Sequence, residues 1–351
     1  MNQKRIRIAS IGSGWVVTNR HLPALSKNNK FEITAIVSNE EERLKPLSEK
    51  YKIPYYLLTD ASKNKEWLKL CEAVMIGTDP FSHYRIAKFC LENGKHVLME
   101  KPLTLSIKES ENLKKIAEKN NLKFCIVHNF QFSKSSKKLD QDIINGKIGE
   151  IKGIYAFQFG NPKRRLPSWY ERLPWGLFFD ESPHLLYLLD KYGKGLSLVN
   201  STKFNSTDGK ITPALVNSNF KTGIGVPANL YLNFESPLSE WFLMIVGKKC
   251  MGVVDIFRDI YFSIPNDKEH KPLDILRTSR KTILGHLKGT FLSGLRVLNK
   301  NYLCGNESIV DIFANSIIHN APTAPIGIDD ALRINRLQFE IMNNSKEVNG
   351  A

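Results

Sequence analysis

At 351 residues, 42% hydrophobic and 24% charged, the chain has a globular composition with room for two domains, which excludes a disordered or fibrous class. No apolar run approaches a membrane span and the start of the chain lacks a signal peptide's apolar region; five scattered cysteines (Cys71, Cys90, Cys125, Cys250, Cys304) without CxxC or Cys/His spacing imply reduced thiols, no metal and a cytoplasmic protein. The formal charge of +15 is read as lysines spread over solvated helices, so nucleic acid is not the expected partner.

Residues 5–11 form a short apolar run that ends in Gly12-Ser13-Gly14. A helical stretch to about residue 25 and a strand at 32–37 follow. Residues 73–78 make a continuous buried strand, leading into a helix through 85–92 that Gly94 ends. Next come a strand at 96–100, an amphipathic helix at 107–119 and a strand at 122–128. Strands separated by crossover helices predict a parallel sheet covered on both faces. Residues 1–128 are therefore expected to be a doubly wound, Rossmann-type dinucleotide-binding domain.

After His128 the rhythm changes. Residues 148–160 read as a long strand, 161–175 as a loop rich in Pro, Trp and Arg, and a helix is expected from about 183 to 192. Strand-like runs at 197–204, 211–218, 225–234, 242–247 and 252–257 follow without helices between them, predicting a largely antiparallel open sheet. Residues 275–306 hold no Asp or Glu but include Arg277, Arg280, Lys281, Lys288, Arg296 and Lys300. That stretch suits an anionic ligand or a membrane surface, and equally a solvated helical excursion. Helical patterns at 308–319 and 329–342 close the chain. Residues 129–351 thus read as an α+β domain for substrate binding and oligomerisation. Its helices are too few to cover both sheet faces, which predicts a homodimer or homotetramer joined through the sheets. The rival expectation is that 275–306 folds back over the open face.

The chemistry-bearing residues begin at Gly12-Ser13-Gly14-Trp15-Val16-Val17, an incomplete dinucleotide fingerprint with Val17 where a third Gly or Ala usually sits. Its two glycines permit a tight turn and close approach of a pyrophosphate to a helix N-terminus. At the end of the second strand, Ser38 stands where an NAD enzyme usually places an acid, and Arg43 lies near enough to meet a 2′-phosphate. That tilts the cofactor toward NADP over NAD, while Glu40 and Glu41 argue the other way. Lys101 follows Glu100 at the carboxyl end of a parallel strand, where its ammonium can bind a reacting hydroxyl and stabilise developing alkoxide charge; alone, it would read as a surface lysine paired with Glu100. His184 follows Ser182-Pro183, read as a helix cap and first turn, with Asp180 to orient its imidazole as a general base; alone, it would read as a core histidine. Arg164, Arg165, Trp169 and Tyr170 fill the loop before that helix. Aromatic faces and arginines there suit a sugar, including an anionic one.

Together these residues resemble the glucose–fructose oxidoreductase / inositol dehydrogenase (Gfo/Idh/MocA) family over nearly the whole chain. Ile11-Gly12-Ser13-Gly14 with His21-Leu-Pro-Ala is similar to its opening, and Thr78-Asp79-Pro80-Phe81-Ser82-His83 to its fourth-strand turn. Gly94 to Pro102 resembles its signature strand, Gly146-Lys-Ile-Gly-Glu-Ile its entry to the second domain, and Asp180-x-x-x-His184 its catalytic motif. The resemblance implies Lys101, Asp180 and His184 as the catalytic set. It implies Thr78, Pro80, His83 and Glu100 on the cofactor, beside Gly12, Gly14, Trp15, Ser38 and Arg43, with Asn129 joining the substrate residues. Departures are Asp79 for a proline, Ser182 for a glycine, and Trp175-Gly176-Leu177 for a glycine run.

The expected activity is NAD(P)-dependent hydride transfer between nicotinamide and a secondary hydroxyl of a sugar, cyclitol or (nucleotide-)sugar derivative. Two alternatives stay open: a glycosidase-type enzyme that retains its NAD, and a non-catalytic dinucleotide-sensing regulator.

Overall fold

The computed structural model describes residues 5–206, 208–298 and 304–348. These fall into two compact units, 1–129 with 305–336 and 130–304 with 337–351. Residues 305–336, taken in sequence as part of the second domain, thus belong with the first unit.

The first unit starts with β1 (Ile6–Ile11), a helix from Trp15 whose last turns are α1 (Leu22–Lys27), and β2 (Phe31–Ser38). Then come α2 (Glu41–Tyr51), β3 (Tyr55–Leu58), β4 (Ala73–Ile76), α3 (Pro80–Glu92), β5 (His96–Met99), α4 (Ile107–Lys119) and β6 (Phe124–Ile126). The strands pair in parallel in the order β3-β2-β1-β4-β5-β6. Alternate residues of a strand serve opposite faces. Ile36 packs with Val17, Leu22 and Leu44 on one side, whereas Ala35 and Val37 join Ile11, Ile76, Ile86 and Leu113 on the other. α3 begins at Pro80, earlier than the expected 85, because the Asp79 carboxylate accepts the Phe81 N–H at 3.0 Å and caps it. The aspartate that replaces the usual proline therefore has a structural task.

In the second unit α5 (Lys134–Ile144) and β7 (Ile151–Phe159) precede α6 (Leu177–Gly193). α6 corrects the expectation that Ser182-Pro183 open the helix: it starts a turn and a half earlier, and Pro183 lies inside it. Proline offers no N–H to the carbonyl four residues back, and the Gln338 amide supplies it instead, donating to Phe179 O at 2.6 Å. Asp180 and His184 therefore stand one turn apart on the same face of a formed helix.

The second sheet adds β8 (Leu196–Phe204), β9 (Leu215–Thr222), β10 (Pro227–Asn233), β11 (Glu240–Gly247), β12 (Cys250–Asp255) and β13 (Ile260–Pro265). Its order is β13-β12-β11-β7-β10-β9-β8, extended by a last short strand beside β8. All pairs are antiparallel save β7 with β10 and β8 with that last strand. α5 and α6 cover one face. On the other, Tyr155, Phe157, Phe159 and Tyr231 form a partly exposed aromatic row.

The acid-free stretch forms α7 (Pro272–Leu298); Lys300 lies outside the described residues. α7 packs along the edge strand β13, where added Cβ atoms on Gly285 and Gly289 would press on Phe262 and Ile260. Register carries Phe262 through Val253 and Met244 to Tyr155. α7 thus sits at the margin of the open face, and the aromatic row stays partly exposed.

α8 (Asn306–Ile318) and the first half of α9 (Ile328–Asn344) return to the first unit. Phe313 stacks on Phe31 at 6.0 Å, and Ala331 and Leu332 enter the core beside α4. β14 (Ser345–Val348) is the strand that extends the second sheet beside β8.

Candidate active site

The first sheet reverses direction of strand order between β1 and β4, and open α/β sheets bind ligands at the carboxyl edge of such a switch point. Gly12 lies there with φ +99°, and an added Cβ would come within 2.7 Å of Gly77 O. Only glycine suits both the conformation and the contact. Gly14, by contrast, has nothing within 4 Å of an added Cβ, leaving the helix N-terminus open to a pyrophosphate. Val17, at the third fingerprint position, points at Gly77, where a Cβ would meet its Cγ2 at 2.4 Å. The glycine that close packing needs has moved to the partner segment. These residues fit a dinucleotide.

The helix after Gly14 widens into a single π turn, Val17–His21, ahead of Pro23. A proline ring clashes with the carbonyl four residues back, and a wider turn relieves it. His21 is thereby buried, with Nε2 2.8 Å from Glu100 Oε1 and Nδ1 3.3 Å from the Asn306 amide. The amide N–H donates to Nδ1, so Nε2 carries the proton given to Glu100. Burial pushes the Glu100 carboxyl up, but the His21 hydrogen bond, its field and that of Lys101, and the Lys101 N–H at 3.1 Å hold it below the usual range. Glu100 is a fixed anion at the end of β5, immediately before Lys101. The Lys101–Pro102 peptide is cis, and the Pro102 carbonyl accepts the His83 Nδ1–H at 2.8 Å. Burial keeps His83 neutral by lowering its pKa, and pushes His128 down to about 3.

At the end of β2, the Ser38 hydroxyl is buried against Ser13 Oγ at 2.8 Å. Glu40 places its carboxylate at the same spot, 3.2 Å from Ser13 Oγ, and Arg43 pairs with it at 2.9 Å. The tilt toward NADP drawn from Ser38 and Arg43 is therefore offset by Glu40. Trp15 is exposed, with the Arg20 guanidinium 5.5 Å from its ring centroid. Thr78 Oγ1 accepts from Ser82 Oγ at 2.7 Å, and Pro80 opens α3.

In the second unit His184 is 9% exposed and boxed by rings: Phe130 at 4.8 Å, Trp241 at 5.5 Å and Tyr187 at 5.8 Å between centroids. Its Nδ1 lies 3.1 Å from the Tyr187 hydroxyl, which also accepts the Phe130 N–H at 3.0 Å. The buried Trp241 indole N–H has no hydrogen-bond partner. Ser182, in the motif's glycine position, is fully buried and accepts from Gln338 at 3.0 Å. Arg164 pairs with Glu181, which also takes the Gln158 amide, so its charge is directed inward. Arg165 is exposed, and Trp169 and Tyr170 sit half-buried on a single short helical turn, Ser168–Arg172. Trp175 packs on Phe178 at 5.3 Å under Lys203, and Leu177 is buried at the start of α6. Asn129 ends the first unit, half-buried.

Sequence reading missed Tyr187, Trp241, Glu181 and Asn306. Tyr187 had a readable signal, three residues after His184 on one helix. Asn306 and Trp241 had none, since only folding brings them to their partners.

The first unit thus has a doubly wound fold of the dinucleotide-binding type, and the second is an α+β unit with a buried imidazole. Residues 6–128 match the family described as "Oxidoreductase family, NAD-binding Rossmann fold". That match ties residues 6–128, within the first unit, to the Gfo/Idh/MocA oxidoreductases. It is 30% identical over 165 residues to the dTDP-3,4-didehydro-2,6-dideoxy-alpha-D-glucose 3-reductase of Actinomadura kijaniata, covering 44% of this chain and 46% of that protein. It is 23% identical over 184 residues to the scyllo-inositol 2-dehydrogenase (NADP(+)) IolW of Bacillus subtilis (strain 168), covering 52% and 50%. The chain spans about half the length of the curated relatives it matches. The fold also matches a 3-ketoreductase from Actinomadura kijaniata in complex with TDP-benzene and NADP, with TM-score 0.73 at 18% identity over 99% of this chain and 100% of that one.

Proposed function

We propose that the chain is an NAD(P)-dependent oxidoreductase acting on a secondary hydroxyl, or the matching ketone, of a sugar, cyclitol or nucleotide-linked sugar. The observation that carries this is the carboxyl edge of the first sheet, where the open Gly12–Gly14 turn and the Glu100–Lys101 end of β5 belong to one switch-point crevice. When bound, the dinucleotide supplies the hydride acceptor or donor at its nicotinamide. Gly12, Ser13 and Gly14 hold its pyrophosphate, and Thr78, Pro80, His83 and Glu100 flank it. Ser38, Glu40 and Arg43 meet the adenosine ribose. Lys101 binds the reacting oxygen and offsets its developing negative charge. His184 removes the hydroxyl proton at Nε2, with Nδ1–H donated to the Tyr187 oxygen. Asp180, one turn earlier, is assigned to holding the imidazole in place.

The substrate set is Asn129, Arg165, Trp169 and Tyr170, with Arg164 acting through Glu181. Two further assignments are a cytoplasmic setting, in line with five buried cysteines, and a homo-oligomer across the open aromatic face.

Lys101→Ala and His184→Ala should each lower turnover roughly a hundredfold or more, the scale of a lost acid–base or electrostatic group. Dinucleotide titration should remain near wild type in both. Near-normal turnover in His184→Ala, measured with a panel of sugars and cyclitols by cofactor absorbance, would reject the assignment. Retained cofactor without net turnover would favour the glycosidase-type reading instead.

A further inference from the structure

α7 is amphipathic in the inverted sense. Its stripe toward β13 runs through Thr282, Gly285, Gly289, Ser293 and Arg296, spaced three or four residues apart and all half-buried or buried. Small residues let the backbone approach the strand, Ser293 donates to Arg258 O, and Arg296 pairs with Asp259. The opposite stripe is Leu276, Ile283, Leu284, Leu287, Phe291 and Leu295, each 41% to 67% exposed. A surface helix ordinarily turns such residues inward, and a contiguous apolar surface of this kind marks an interaction site.

Charge decides among occupants. From Ile275 to Leu298 the helix carries no carboxylate, and Arg280, Lys281 and Lys288 stand exposed in or beside the apolar stripe. Two copies laid stripe to stripe would oppose these cations with nothing to answer them. An anionic lipid surface answers them directly, and the chain's net charge of +15 adds to the attraction. No helix among the described residues is long and apolar enough to cross a membrane, so the element suits lying in an interface.

We propose that α7 is an interfacial helix that docks the protein on an anionic bilayer, with the Leu276–Leu295 stripe entering the acyl boundary and Lys281 and Lys288 meeting the headgroups. The inference is independent of the reaction assigned above.

The test mixes full-length protein with sedimenting vesicles of phosphatidylcholine alone or with about 30% phosphatidylglycerol. Wild type should partition roughly tenfold or more in favour of the anionic vesicles, and the preference should shrink at high salt. Leu284→Glu/Phe291→Glu changes outward-facing positions only, so it should keep the circular-dichroism spectrum and abolish binding. Leu287→Ser serves as a milder variant should the double change unwind the helix. Lys281→Glu/Lys288→Glu should remove the preference for anionic lipid. Wild type that stays in the supernatant with both vesicles, or binding untouched by the outward variants, overturns the proposal. A dimer in light scattering that the Leu284→Glu/Phe291→Glu change dissociates, without vesicle binding by wild type, overturns it in favour of a second copy.

Discussion

Two nearly buried polar groups, Glu100 in the first unit and His184 in the second, are handled in opposite ways. Glu100 is surrounded by donors: His21 at 2.8 Å, the Lys101 N–H at 3.1 Å, and the field of Lys101, which together hold it ionised despite burial. His184 is packed among rings, three of them within 5.8 Å, and its Nδ1 lies beside the Tyr187 hydroxyl. Glu100 is held in one charge state by hydrogen-bond donors and a nearby cation. The group proposed to exchange a proton is oriented by ring packing and a neutral hydroxyl.

The sharpest way to break this contrast is to remove the pin. His21→Ala leaves a buried carboxylate without its main donor, and should cost about 3–5 kcal/mol of stability, the range for a buried pair broken on one side. Urea unfolding monitored by fluorescence checks it; a loss under about 1 kcal/mol would mean that water or Lys101 replaces the imidazole. Tyr187→Phe keeps the ring box and deletes the hydroxyl. It should lower turnover about tenfold and move the apparent pKa of the rate profile while leaving the unfolding midpoint nearly unchanged. A profile that keeps its shape would assign Tyr187 to packing alone.

Acid titration extends the comparison to His128, whose burial holds it down to about 3 from an ordinary 6.5. Its folded value lies below its unfolded one, so its contribution is intact above pH 6.5. As pH falls, the unfolded chain binds a proton the folded one refuses, and stability drops by about 1.4 kcal/mol per pH unit until roughly pH 3. The lowered Glu100 adds loss in the same direction, below the ordinary carboxylate range. His128→Gln should flatten the slope between pH 6 and 4 by about one proton; an unchanged slope would place the titration elsewhere. The smallest effect concerns the ribose. Glu40→Gln frees Arg43 and removes a carboxylate near Ser13, so NADP affinity should rise several-fold relative to NAD, on the scale of one exposed ion pair. Fluorescence titration of both dinucleotides measures it, and an unchanged ratio would show that Glu40 does not reach the 2′ position.

What local sequence could reveal follows from how local the physics is. The helix at 107–119 was placed to the residue because Ser106 caps its first turn through the Glu109 N–H. The parallel sheet was legible because each of its central strands is a short apolar run between turns. The start of α6 was not, since a proline reads as a helix opening unless something distant takes the carbonyl it abandons, and Gln338 does so from the far end of the chain. The strands at 260–265 and 345–348 escaped for a similar reason, being edge elements defined by their neighbours. The proposed chemistry divides likewise: Lys101, Asp180 and His184 stand in recognisable words, whereas Asn306, whose amide donates to His21 Nδ1, stands in none.

The return of residues 305–336 to the first unit has a practical consequence for anyone wishing to exchange nucleotide specificity between relatives. A transplant cut after residue 129 would carry the turn and the Lys101 strand but leave behind Asn306, the stack of Phe313 on Phe31, and the pairing of Gly327 with Cys125. The graft would arrive with an open seam in its core and an unset imidazole beneath Glu100. A working chimera needs two inserts, not one, spliced at three points in the gene.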